Sequence, residues 1–251
     1  IVVVQITSAM SEVIDEAKRG ARELATIAGP KSKVGIYAYA SDTKRIFELG
    51  APTEAESAAN NLTIDNEASE PHLLDAVRAA IETLSNSTMK DQRKLVVVFS
   101  DGIDVNNERK AFSAIGKKAQ EANVIIDTIG FAPFEAAKLK GLEEFSKQSN
   151  GTFRMVKAGA EVTTTFGMVT DEIKKQYVLS YVVPETICGD NKSHTFQLVY
   201  DAAGGKGAYS NTYEGKIGPK TQNVKTPENP NAPKSRWWLW VLIGVAAFVL
   251  L

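Results

Sequence analysis

The sequence predicts an α/β protein. A doubly wound, mostly parallel six-stranded sheet spans residues 1–176, followed by a small antiparallel β appendage and a C-terminal transmembrane helix. Three observations predict it. Short runs rich in Val and Ile alternate with segments of helical spacing over the first two-thirds of the chain, the pattern of a sheet covered by helices on both faces. One run, Leu95–Phe99 (LVVVF), is apolar without interruption, as a strand buried on both faces must be. After residue 176 the helical spacing disappears, and strand-like pieces follow one another across Gly-rich turns. Right-handed crossovers between parallel strands then make the first unit doubly wound.

Each element has its own signal. Val2–Gln5 is a short apolar strand. Ile1–Val4 is strand-like at once, with no initiator Met and no charged leader, so a preceding segment is expected. Ser11–Ala28 places Val13, Ile14, Ala17, Ala21, Leu24, Ala25 and Ala28 on one helical face, and Gly29-Pro30 ends it. Val34–Tyr39 and Lys44–Leu49 are strands around the turn residues Ser41-Asp42. Pro52–Glu70 is polar loop with room for a short helix. Leu73–Leu84 is helical, with Leu74, Val77, Ile81 and Leu84 on one face. The remainder reads helix Ala111–Ala122, strand Val124–Ile129, helix Glu135–Ser146, strand Thr152–Val156 and helix Glu161–Lys175.

The second part is organised differently. Tyr177–Val183, His194–Tyr200 and Ala208–Tyr213 are strand candidates with no helix between them. The appendage (177–216) is too small to stand alone and is expected to pack on the main domain. Residues 217–236 hold four of the nine prolines, the composition of a semi-rigid linker. Residues 237–251 (WWLWVLIGVAAFVLL) carry no charge. Fifteen residues reach about 22 Å, short of a hydrocarbon core of about 30 Å, so a buried helix is the alternative. The stretch is apolar on every face, however, and Trp237, Trp238 and Trp240 gather at one end as in an interfacial aromatic belt. It is expected to be a single-pass membrane span cut by the end of the chain.

Composition excludes several classes. Charged residues make up 24% and net charge is −1, with none of the basic bias of nucleic-acid binders. Cys188 is the one cysteine, so neither an internal disulfide nor a Cys-rich metal site can form; a free thiol and an intermolecular bridge both stay open. No phosphate loop and no Gly-x-Ser-x-Gly elbow occurs, and only two histidines, His72 and His194, exist to serve as catalytic bases. Asn61, Asn86, Asn150 and Asn191 stand in glycosylation sequons, a motif short enough to arise by chance.

In an open α/β sheet, ligands bind beyond the carboxyl ends of the strands, where strand order reverses. Two loops qualify: Gln5-Ile6-Thr7-Ser8-Ala9-Met10-Ser11, and Ser100-Asp101-Gly102-Ile103-Asp104 at the end of Val96-Val97-Val98-Phe99. On these loops residues 1–176 resemble the von Willebrand factor A family. There the first strand ends in Asp-x-Ser-x-Ser, a Thr enters from a later loop, and a further strand ends in Asp-Gly; together they hold a divalent cation in metal-binding members. The Leu73-Leu74-Asp75-Ala76-Val77 helix start is a supporting match, and Tyr177–Tyr181 is similar to the strand that follows this domain in bacterial members. The departures are specific. Gln5 stands for the first Asp, Thr7 for the first Ser, Ala9 for the second Ser and Pro71 for the Thr, leaving Asp101 as the retained carboxylate.

Mg²⁺ takes six oxygens in near-octahedral geometry, with carboxylates offsetting its reluctance to shed water. One carboxylate and one hydroxyl fall short of that, so no metal and no other cofactor is expected; Mg²⁺ or Mn²⁺ held weakly by Thr7 and Asp101 is the alternative. The reading is a non-enzymatic, membrane-tethered adaptor. Its partner is a protein, with no nucleic acid and no small-molecule substrate. The binding patch is Thr7, Ser8, Ala9, Met10, Ser69, Glu70, Pro71, His72, Asp101, Ile103 and Asp104. Bacterial relatives of this layout imply an extracytoplasmic or periplasmic domain; Lys234 and Arg236 before the span favour a cytoplasmic one. Two rivals remain, a metal-dependent adhesion receptor and a hydrolase using His72 and a nearby Ser.

Overall fold

The structure, a computed structural model, describes residues 1–68, 70–87, 92–106 and 108–174, and the strands 194–202 and 205–213. The chain divides into two units, Ile1–Tyr177 and Val178–Leu251.

In the first unit, strands β1 (Val2–Gln5), β2 (Val34–Tyr39), β3 (Thr43–Gly50), β4 (Lys94–Ser100), β5 (Val124–Phe131) and β6 (Phe153–Val156) form one sheet in the order β3-β2-β1-β4-β5-β6. Only β3 runs antiparallel, joined to β2 by the tight Ser41-Asp42 turn; the other pairings are parallel. The helices are α1 (Ile14–Ile27), α2 (Pro52–Ala58), α3 (Leu73–Ser85), α4 (Arg109–Glu121), α5 (Lys140–Gln148) and α6 (Gly159–Lys174).

Alternation along each strand sends neighbours to opposite faces, and the core accordingly lies in two layers. Val2, Val4, Ile36, Ala38, Val97 and Phe99 pack with α1, α2 and α6. Val3, Tyr37, Tyr39, Val96 and Val98 pack with α3, α4 and α5. Strand β1 is buried throughout, which explains the apolar run Val2–Val4. Helices α1 and α6 approach closely because Gly20 has no side chain: a Cβ there would stand 2.2 Å from the Phe166 ring.

Two predicted helices differ at their starts. Ser11–Ala28 begins as a 3₁₀ turn at Ser8–Met10 and becomes α-helical only at Ile14. The tight turn swings Met10 and Val13 into the core, which overrides the capping preference of Ser11. Glu135–Ser146 splits into a 3₁₀ turn, Ala136–Leu139, and α5, which ends at Gln148. Here the break lets Leu139 turn inward.

In the second unit, β7 (His194–Ala202) and β8 (Gly205–Tyr213) form an antiparallel pair from His194↔Tyr213 to Ala202↔Gly205. Tyr177–Val183, Cys188, the 217–236 linker, the 237–251 segment and Ser69 lie outside the described residues. Among the described residues no helix is long and apolar enough to cross a membrane.

Candidate functional site

Strand register builds the site. Gln5 lies opposite Tyr39, and Val4 opposite Phe99, so the last residues of β1, β2 and β4 end at one level. The loops that follow meet there. The Thr63–Ala68 segment returns to the same edge, where Thr7 bridges Asp65 and the Asp65 N–H donates to the Ile6 carbonyl at 2.7 Å.

At the centre is Gln5, 1% exposed. Its Oε1 accepts from the Asp101 backbone N–H at 2.8 Å and from the Ser100 hydroxyl at 3.1 Å. Tyr39 has one phenolic proton, and its nearer acceptor is Ser100 Oγ at 2.7 Å, with Gln5 Oε1 at 3.2 Å. Gln5 Nε2 donates to Thr7 Oγ1 at 2.8 Å, and Ser100 Oγ also accepts from the Gly102 N–H at 2.8 Å. The amide orientation is fixed by logic: a backbone N–H can only donate, so the atom facing Asp101 must be the oxygen. Burial pushes the Tyr39 phenol well above its usual range, keeping it a neutral donor. One neutral side chain thus ties three loops together.

Asp101 is half-buried. Burial raises its carboxyl above the ordinary value, opposed by the Ile103 N–H, which donates to Oδ1 at 2.9 Å, by the Gln5 amide and by the charge of Lys138. Lys138 itself pairs with Glu135 at 2.7 Å. Its backbone rests on Gly102, where φ is +82° and a Cβ would meet the Lys138 carbonyl at 2.5 Å; glycine is required on both counts.

Asp104 is 4% exposed and does a structural job. Its Oδ2 accepts from the Leu74 N–H at 2.8 Å and its Oδ1 from the Asn106 N–H at 2.7 Å. The first turn of α3 has no side-chain bond from its own cap residue, His72, so a carboxylate 30 residues away satisfies it. The Val105 N–H donates to the Pro71 carbonyl, and the His72 N–H to the Ala40 carbonyl, both at 2.8 Å.

The expected patch is therefore only partly a surface. Ser8, Ala9 and Glu70 are exposed, and Pro71, His72, Asp101 and Ile103 are half-buried. Met10, Asp104 and Thr7 are a correction: Met10 fills the core, Asp104 caps α3, and the Thr7 hydroxyl receives Gln5, so all three are buried and offer a partner no free surface. Sequence reasoning passed over Tyr39 and Ser100, which complete the network, and Phe134 and Val105, which stand exposed on neighbouring loops. A signal existed for Phe134, a large apolar residue directly after Pro133 in a loop.

The donor set does not fit Mg²⁺. At the position of the family's first carboxylate, Gln5 aims an N–H at Thr7, Ala9 and Pro71 offer no side-chain oxygen, and one oxygen of Asp101 is already engaged. Among the described residues no three His, Cys, Asp or Glu side chains cluster. The His72 imidazole lies 3.3 Å from the Asp75 carboxylate, one helical turn on, and among the described residues no serine bonds to it.

An open, mostly parallel sheet whose polar loops gather where strand order reverses, between β1 and β4, defines a Rossmann-like binding module. The sequence matches the von Willebrand factor type A domain over residues 3–167, and the chain belongs to that family, whose fold is a general protein-interaction fold. Solved structures agree. BatB, a conserved hypothetical protein from Bacteroides thetaiotaomicron, shares 15% identity over 69% of this chain and 98% of that one, with a TM-score of 0.54. An aerotolerance-related membrane protein from Bacteroides fragilis shares 16% over 70% and 98%, also at 0.54. Proximal thread matrix protein 1 from the mussel byssus, with a zinc-occupied MIDAS motif, shares 14% over 68% of this chain and 44% of its own length, at 0.56. Identities this low show the fold alone. No curated protein matches the sequence.

Proposed function

We propose that this chain is a membrane-tethered adaptor, not an enzyme, whose von Willebrand A domain binds a protein partner through its carboxyl-end loops without a divalent cation. The observation that carries the reading is the Gln5 network: an amide bonded to Thr7, Ser100 and Asp101 joins the loops that an ion would otherwise join. The apolar run 237–251 supports the tether, and the similarity to an aerotolerance-related membrane protein is in keeping with it. On this reading the domain lies outside the cytoplasm; a reporter phosphatase that is active only there, fused after Lys216, tests this, and an inactive fusion made at normal level would reverse it.

Thermal unfolding of the full chain with and without millimolar Mg²⁺ or Mn²⁺ tests the metal-free reading. A cation at 100 times its Kd adds about 2.7 kcal/mol to stability. In a domain of this size that is a rise of roughly 5–10 °C. The expected shift is under about 1 °C. A large rise that Asp101→Ala removes would establish the metal-dependent receptor instead.

A further inference from the structure

Phe134 is 95% exposed, the most exposed large apolar side chain among the described residues. It sits between β5 and the 3₁₀ turn Ala136–Leu139, and that turn rests on Gly102. The Phe134 loop is thereby braced against the Asp101–Asp104 loop. At the end of that loop, Val105 is 49% exposed, its backbone held by Pro71. Two large apolar side chains thus project from the loops that surround Gln5.

The surrounding charge decides what they meet. Asp42, Glu70, Glu108 and Glu135 are exposed on these loops, and Asp101 is half-buried among them. Lys44 and Lys138 are paired with Asp65 and Glu135. Lys110, in the first turn of α4, Lys140, at the start of α5, and Lys157, before α6, stand against the acids, and Arg109 is paired with Glu144; with Glu12 also exposed on the loop before α1, the face stays net acidic. A bound cation would make such a face attract carboxylates; with a neutral amide in its place the remaining field is negative and attracts the opposite charge.

Building on the carboxyl-end binding face proposed above, we propose that Phe134 and Val105 are the apolar anchors of a docking surface for a basic partner segment. That segment carries Lys or Arg beside apolar residues that receive the ring. Exposed aromatic anchors dominate binding energy where a partner encloses them, and the carboxylate rim sets orientation and association rate.

A random peptide library displayed on phage and panned on the full chain tests this. The expected selection is enriched in Lys and Arg next to aliphatic or aromatic residues. Phe134→Ala, which removes a side chain that packs on almost nothing, should weaken the selected peptides tenfold or more, and Glu70→Lys with Glu108→Lys several-fold. Enrichment in Asp and Glu, no enrichment at all, or unchanged binding by Phe134→Ala overturns the proposal. Ala9→Trp separates the two levels. If it blocks peptides that Phe134→Ala leaves untouched, the loop face binds but the anchor is misassigned. If neither matters, the face itself is wrong.

Discussion

Replacing Gln5 with leucine keeps most of the side-chain volume and removes every polar atom, so it isolates the network from the packing. Three groups lose a partner: the Asp101 N–H, the Ser100 hydroxyl proton and Thr7 Oγ1. Each buried polar group left unpaired costs about 1–3 kcal/mol. Thr7, 6% exposed, recovers part of its loss through water, and Ser100 Oγ keeps the bonds it accepts from Tyr39 and the Gly102 N–H. The net loss is about 3–5 kcal/mol, a large share of the roughly 5–15 kcal/mol that holds a domain together. Midpoint temperature should fall by roughly 10 °C. Far-UV circular dichroism is the appropriate probe, because all three tryptophans lie at 237, 238 and 240, far along the chain from the site. Urea unfolding should show the same loss at an unchanged m-value. A loss below about 1 kcal/mol would refute the argument, since the loops would then be held by something other than this amide.

Two further substitutions probe neighbouring groups. Asp104→Ala strands the Leu74 and Asn106 N–H groups and should cost about 2 kcal/mol in urea unfolding, whereas an effect on partner binding with none on stability would contradict its capping role. Asp101→Asn keeps an acceptor for Ile103 while removing a buried charge, and it has a definite pH signature. Because burial raises the folded-state value above the ordinary 3.8, the native state takes up a proton that the unfolded chain lacks between those two values. Wild-type stability from this group therefore rises as pH falls through the folded value, and Asp127, raised chiefly by burial, acts in the same direction. Asn should be at least as stable as Asp at neutral pH, with the gap closing as pH approaches 3.8; a gap that widens on acidification would reverse the assignment.

The fold was legible because its signal is local. Val2–Val4 and Leu95–Phe99 are apolar without a break, and strands with both faces covered have no polar face to show. Helix α3 announced itself by Leu74, Val77, Ile81 and Leu84, all of which are buried. Element ends were less legible because long-range contacts decide them. Ser11 has the chemistry of a cap, yet α1 makes no side-chain cap bond and starts later, since Val13 must reach the core first. The break before α5 has the same kind of cause: Lys138 lies over Gly102, a contact between residues 36 positions apart.

The site was half legible for a related reason. Sequence comparison within the family pattern reveals which oxygens are missing at Gln5, Ala9 and Pro71, but it does not reveal what fills the gap. That depends on register, which puts Tyr39, Ser100 and Asp101 around one amide. An ion and an amide can both join these loops, but they differ in what controls them. An ion's occupancy follows its concentration, so loops tied by it can be loosened when it leaves. Gln5 is part of the chain, and its oxygen and nitrogen face opposite kinds of partner, acceptor toward Ser100 and Asp101, donor toward Thr7. On the metal-free reading proposed above, loops held in this way would keep one arrangement at any cation concentration. On that same proposed reading the face suits a partner bound constitutively, and regulation would act on the partner or on access rather than on the site.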